Sequence, residues 1–267
     1  MKESAIALAR QQADPAQKLN TLREYLQACV LRSLHESEAC LCLSFVGGTA
    51  LRFLYNLPRF SEDLDFSLET PDGYHPVRWM EKVKRDLSAA GFDLSIQWND
   101  RKTVHVAWLR FAGLLKEVGL AGMAAQKLSI KLEVDTHPPA GALLVNDIVN
   151  RHQIFAIRHH DLPSLMAGKT HALITRRYPK GRDWYDLIWY RAQRPPVEPN
   201  GALLQHALDQ TEGPGTHNAT AWREAVLNRL NALDPALLRS DVAPFLEHPD
   251  EAKWLAPEYL RTLLSNA

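Results

Sequence analysis

FVGGTALRFLYNLPRFSEDLDFSL, residues 45–68, sets two adjacent glycines before a helix-like run and ends on two aspartates separated by one leucine. The preceding LCLSFV (41–46) is short and apolar, so the stretch reads as strand, glycine turn and helix, with TALRFLYNL capped by Thr49 and stopped before Pro58. From Asp63 the residues alternate: Leu64, Phe66 and Leu68 on one side, Asp63, Asp65 and Ser67 on the other. That is strand periodicity, and it puts both aspartates on one face. At ~3.3 Å rise per residue, their Cα atoms lie roughly 6–7 Å apart and the side chains project in parallel. Like charges this close raise each other's pKa unless a cation or donor compensates. A divalent cation is one such partner, and Mg²⁺ or Mn²⁺ suits carboxylate oxygens while leaving positions for substrate phosphates. A bare Asp-x-Asp also fits an edge strand facing solvent. The upstream Gly47-Gly48-Thr49 adds weight to the first reading, because a strand-to-helix turn presents backbone N–H groups to phosphate and glycine permits close approach.

Working outward, Asp14-Pro15 signals a helix start, and Leu19, Leu22, Leu26 and Val30 recur at helical spacing. A helix is predicted over about 76–90 with Gly91 at its C-terminal end, then an antiparallel strand pair, FDLSIQW and VHVAWLRF, about Asn99-Asp100. LSIKLEVD (128–135) alternates again, with Lys131, Glu133 and Asp135 on one side, and QIFAIR is one more short strand. Beyond Leu162 the strand signals stop. PSLMAGKTHALITRR, DWYDLIWYRAQ, GALLQHALDQ, AWREAVLNRLNAL and PEYLRTLL all read as helices. The expected organisation is an α/β part over 1–160 and a helical part over 161–267.

Composition narrows the function classes. Apolar residues make up 46% and charged residues 23%, ordinary for a globular protein. Lys and Arg balance Asp and Glu at 31 each, so contact with nucleic acid must come from a local patch. The run RRYPKGR (176–182) is one such patch, or a solvated loop. Three cysteines form neither a disulfide framework nor a zinc set, and no long apolar run suggests a membrane span or secretory leader. The expected compartment is the cytoplasm. His159-His160-Asp161 reads as a turn into a capped helix rather than a metal site, and Trp184, Tyr185, Trp189 and Tyr190 as packing residues rather than base-stacking ones.

GGTALRFLYNLPRFSEDLDF resembles the signature of the nucleotidyltransferase AbiEii/AbiGii toxin family, a branch of the polymerase-β-like nucleotidyltransferase superfamily related to MenT-type toxins. Arg59, Ser61, Asp63, Leu64 and Asp65 match its Arg-x-Ser-x-Asp-hydrophobic-Asp element; Lys131, Leu132 and Glu133 match a later strand. Lys169 and KGRDWYDL (180–187) match two further elements in order. The resemblance covers about residues 45–190. It implies an α+β fold: a mixed sheet flanked by helices, followed by a helical C-terminal region. It also implies metal-dependent transfer of a nucleotide from an NTP, GTP or CTP, to an acceptor such as the 3′ end of tRNA, and a cognate antitoxin as partner.

By the same resemblance Asp63, Asp65 and Glu133 hold the metal, with Asp135 the rival for the third place. Gly47, Gly48, Thr49, Ser61, Lys169 and Arg176 bind the nucleotide. Asp183, holding Lys169 or the nucleotide, completes the catalytic set, with Asp186 its alternate. Lys169 and Arg176 are seven apart, on one helix face, though a solvated face also explains Arg176. Two other functions share these residues: an NTP-binding regulatory module without turnover, and a kinase-like phosphotransferase.

Overall fold

Two helices precede the first strand, α1 (Lys2–Arg10) and α2 (Pro15–His35). The Asp14 side chain accepts from the Gln17 N–H at 2.9 Å and Pro15 occupies the first turn, so α2 starts where the sequence signals it. Leu22, Leu26 and Val30 are fully buried, each contributing about 1.5–3 kcal/mol of transfer free energy. The computed structural model describes residues 1–123 and 125–265. These divide into two units: Met1–Pro138 with Val145–His159, and Pro139–Leu144 with the chain from His160 onward.

The first unit continues through β1 (Leu43–Val46), α3 (Gly47–Tyr55), β2 (Leu64–Leu68), α4 (Pro76–Ala89), β3 (Leu94–Asn99), β4 (Val104–Phe111), the single turn α5 (Leu114–Glu117), β5 (Leu128–Asp135), β6 (Leu144–Arg151) and β7 (Gln153–His160). The strands form one seven-stranded sheet in the order β3-β4-β5-β2-β1-β7-β6. It is mixed: β2 runs parallel to β5 and β1 parallel to β7, while β1–β2, β3–β4 and β4–β5 are antiparallel. One face carries Phe45, Leu64, Phe66, Ile130, Leu132, Val134, Ala107 and Leu109, all buried. The other carries Asp65, Ser67, Lys131, Glu133, Asp135 and Trp108, because partners in register share a face.

Helix α3 begins at Gly47, two residues before the expected Thr49, and Thr49 does not cap it. Helix α4 ends as expected, with Gly91 just beyond it at φ +92°. Helix α1 and strand β6 are elements that the sequence pattern did not announce.

The second unit holds α6 (Leu162–Thr175), α7 (Gly181–Ala192), α8 (Gly201–Glu212), α9 (Trp222–Leu230), α10 (Pro235–Val242) and α11 (Pro257–Ser265). Asp161 caps α6, accepting from the Ser164 N–H at 2.9 Å. Helix α6 packs on α7, α8 and α9. Trp184, Tyr185 and Tyr190 are buried, the packing role read from the sequence. The fold is α+β, a mixed sheet flanked by helices and followed by helices. Among the described residues, no helix is long and apolar enough to cross a membrane.

Candidate functional site

Strand β2 lies between β1 and β5, and its register fixes the polar face. Asp65 is opposite Val46 on β1 and beside Glu133 on β5; Ser67 is beside Asp135. A sheet spacing of ~4.8 Å therefore brings the backbones of Asp65 and Glu133 together across one strand boundary. Asp63 precedes the strand, which starts at Leu64, so strand periodicity governs Asp65 and Ser67 but not Asp63. Asp63 is positioned differently: the Thr49 hydroxyl donates to its carbonyl oxygen. The residue expected as a helix cap thus ties α3 to the chain entering β2.

The two glycines are required by contact. A Cβ at Gly47 would strike Asp65 Oδ2 and approach Asp65 Cβ and Cγ to 3.0 Å, and Gly47 has φ +78°. At Gly48 a Cβ would meet Arg59 Nη2 at 2.7 Å and Ser61 Oγ at 3.0 Å. The first turn of α3, Asp65, Arg59 and Ser61 therefore lie in one closely packed group, and only hydrogen fits on the α-carbons between them. Arg59 is 1% exposed, and its Nη1 donates to the Phe60 carbonyl at 2.9 Å.

Helix α2 holds the loop that carries this group. Gln27 Nε2 donates to the carbonyls of Ser61 at 3.1 Å and Glu62 at 3.0 Å, and Arg23 pairs with Glu62 at 3.3 Å. Behind it, buried Glu24 accepts from Arg52 Nε at 2.6 Å and contacts His152 Nε2 at 2.9 Å and Arg151 Nη1 at 3.4 Å. Burial alone would raise the Glu24 pKa, but the His152 hydrogen bond and the Arg52 charge outweigh it and bring it from 4.5 to about 2. Arg52 also lies 4.5 Å over the Phe60 ring.

Register also separates the two rivals for the third carboxylate. Glu133 is Asp65's neighbour and is paired to Lys131 Nζ at 2.8 Å. Asp135 lies two register pairs further along, where its Oδ1 accepts from the His137 N–H at 3.0 Å, a turn-forming role. Among the described residues no three His, Cys, Asp or Glu side chains converge as a ready metal cage. The hydroxyls of Ser44 and Ser67, opposite one another on β1 and β2 on the Asp65 face, are buried without a hydrogen-bond partner.

In the second unit, Lys169 on α6 pairs with Asp183 Oδ1 at 3.0 Å and Asp186 Oδ2 at 2.9 Å, both on α7. Arg176 pairs with Asp183 Oδ2. Two cations thus meet two buried carboxylates. The sequence marked Asp186 only as an alternate, yet it is fully buried and holds Lys169 as closely as Asp183 does. Arg176 lies one residue past the end of α6 in extended backbone, not on the helix face that seven-residue spacing suggested. Gly181 opens α7, its N–H donating to Asp241 Oδ2 at 2.7 Å. His159 contacts Asp147 Oδ2 at 3.0 Å and Asp161 caps α6, but His159 and His160 end strand β7 rather than forming the expected turn.

Gln27, Arg23 and Arg52 were not singled out from the sequence. Their signal was present, as polar residues on the α2 and α3 faces that also carry buried apolar side chains.

The chain matches the family described as "Nucleotidyl transferase AbiEii toxin, Type IV TA system" over residues 29–263. No curated protein matches it. Among solved structures, JHP933 from Helicobacter pylori is 18% identical, with 92% of this chain and 90% of that one covered and a TM-score of 0.48. A candidate nucleotidyltransferase from H. pylori is 20% identical, with 88% and 93% covered and a TM-score of 0.47.

Proposed function

The chain belongs to the AbiEii nucleotidyl transferase toxin family of type IV toxin–antitoxin systems, and from that premise we propose that it transfers a nucleotide from GTP or CTP to an RNA end, tRNA foremost. It acts in the cytoplasm, and an antitoxin counters it. The observation that carries this reading is the contact of Gly47 with the Asp65 carboxylate, beside Glu133 in register. A phosphate seated on the α3 N-terminus lies next to the acidic strand pair, the juxtaposition that nucleotidyl transfer needs.

The donor chemistry suits Mg²⁺ or Mn²⁺, with the carboxylates not already gathered as a cage among the described residues. Asp63, Asp65 and Glu133 offer hard carboxylate oxygens, and the orphaned Ser67 hydroxyl lies on the face of Asp65 and Glu133. When bound, the ion supplies positive charge against the non-bridging oxygens of the reacting phosphate. The chain's own groups do the rest. The backbone N–H groups of Gly47 and Gly48 orient the donor phosphates, with the Ser61 hydroxyl alongside. Thr49 fixes Asp63 through its carbonyl. Lys131 holds Glu133 until substrate arrives; in the second unit Lys169 and Arg176, braced by Asp183 and Asp186, are cations suited to nucleotide phosphates. Asp183 and Asp186 are positioning residues in this scheme.

Incubating the protein with total RNA and either α- or γ-labelled NTP tests the proposal. Label from the α position on RNA is the expected result. Label from the γ position on RNA or protein, with none from α, would assign a phosphotransferase instead, and no transfer from either would leave a binding module.

A further inference from the structure

Strand β4 turns Ala107, Leu109 and Phe111 into the core and Trp108 the other way, where the residue is 37% exposed. Leaving so large an apolar ring in water forfeits hydrophobic stabilisation that a polar residue at the same place would not forgo. Its surroundings are specific. Lys131 Nζ and Arg110 Cζ each lie 5.9 Å from the ring centroid. Arg110 is steadied by Gln97 Oε1 at 3.0 Å, on the row of β3 where Ser95, Gln97 and Asn99 are all exposed. Lys131 is the register partner of Trp108 on β5 and also the ion-pair partner of Glu133. Trp108 therefore shares a sheet face with Asp65 and stands two strands from it, roughly 12 Å away by strand spacing and rise.

An exposed indole with two flanking cations on a flat sheet complements a flat aromatic group carrying negative charge at its edge, which describes an unpaired nucleotide. A base inside a duplex offers no free face, so the match is to a single strand. We propose that Trp108, with Arg110 and Lys131, is the platform on which the single-stranded acceptor RNA stacks a base, its phosphates meeting the two cations while its end reaches toward Asp65. This rests on the transferase reading above and adds where its acceptor binds. The donor NTP is left to the glycine turn of α3, at Asp65 itself.

The test is binding of a short fluorescein-labelled single-stranded oligoribonucleotide, measured by anisotropy without NTP. Trp108→Ala should weaken it about tenfold or more, and Trp108→Phe, which keeps a stacking face, should restore most of the loss. Arg110→Gln should flatten the dependence of log K on log salt by about 0.7 for each phosphate no longer neutralised. Affinity for NTP should not change in any variant, and duplex RNA should bind without regard to Trp108. Equal single-strand affinity for wild type and Trp108→Ala would overturn the proposal. So would a Trp108→Ala loss confined to NTP, which would give the ring to the donor base, or single strands binding wild type no better than duplex. Failure here leaves α-label transfer intact, whereas absence of that transfer alongside Trp108-dependent binding would sink the transferase reading and with it the acceptor role, leaving a single-strand binding surface.

Discussion

Gly47 and Asp65 are packed so closely that no side chain fits between them: a Cβ at position 47 would meet the Asp65 carboxylate oxygen and sit 3.0 Å from its Cβ and Cγ. Gly47 also adopts φ +78°, where an L-residue is strained. Gly47→Ala should therefore cost ~1–2 kcal/mol for backbone strain, lowering the melting temperature by about 2–8 °C. Activity should fall further than stability does, because relief of the clash pushes the Asp65 carboxylate out of place. Calorimetry and α-label transfer on the same preparation check this; a variant with wild-type turnover would show that the contact is incidental.

The Thr49 hydroxyl bridges α3 to the Asp63 carbonyl. Thr49→Val keeps the shape, and removing the donor should cost ~1 kcal/mol, the net worth of one hydrogen bond. Thr49→Ser should behave like wild type. Chemical denaturation of the three proteins decides it, and equal stability of Val and Thr would remove the bridge from the account.

Burial raises and the surrounding cations lower the Glu24 pKa, with a net value of about 2 against an ordinary 4.5. A depressed carboxylate stabilises the fold above its unfolded pKa, and that contribution is lost as pH falls from about 4.5 toward 2. The shift corresponds to on the order of 3 kcal/mol. Glu24→Gln should thus be much less stable than wild type at neutral pH, and the gap between their melting temperatures should narrow steadily below about pH 4.5. A gap independent of pH would deny that Arg52, Arg151 and His152 act on an ionised Glu24.

Much of this arrangement was legible in the chain. The alternation through Leu64, Asp65 and Phe66 gives β2, that of Lys131, Leu132 and Glu133 gives β5, and both strands put their acids on one face. Pairing was not legible: that Asp65 rather than Ser67 neighbours Glu133 depends on register, which no local pattern encodes. Thr49 reads as a cap because Ser and Thr favour that role locally, but its partner is fourteen residues away. Helix α1 escaped notice because it buries only Ala5 and Ala9, too small to mark a period. Strand β6 shows a single buried residue, Val149, and so no alternation. Helix α10 went unread, although Asp234-Pro235 repeats the start signal of Asp14-Pro15. Strand β4 hid Trp108 because Val104, Val106 and Trp108 on one face are as apolar as Ala107, Leu109 and Phe111 on the other.

Lys169 lies between Asp183 and Asp186 at 3.0 and 2.9 Å, so removing it takes one cation from two buried carboxylates, while Arg176 still pairs with Asp183. Lys169→Met alone should cost about 3–5 kcal/mol. In an Asp186→Asn background the same change should cost clearly less, and there it should still weaken NTP binding about tenfold. A double-mutant cycle by denaturant unfolding tests the coupling, and equilibrium binding of labelled NTP tests the role. Additive stabilities would break the cluster apart, and an unchanged NTP affinity would confine Lys169 to structure.

The central claim is that Asp65 and Glu133, joined by register, serve one reaction. The most direct measurement is the rate of α-label incorporation into RNA by wild type, Asp65→Asn, Glu133→Gln and Asp135→Asn, each first shown to melt like wild type. Asp65→Asn and Glu133→Gln nearly preserve shape while removing charge, and each should slow transfer by about 10²–10³, ~3–4 kcal/mol of transition-state stabilisation. Asp135→Asn, whose carboxylate serves the turn at His137, should stay within a few-fold of wild type. Wild-type rates from either Asp65→Asn or Glu133→Gln would contradict the account.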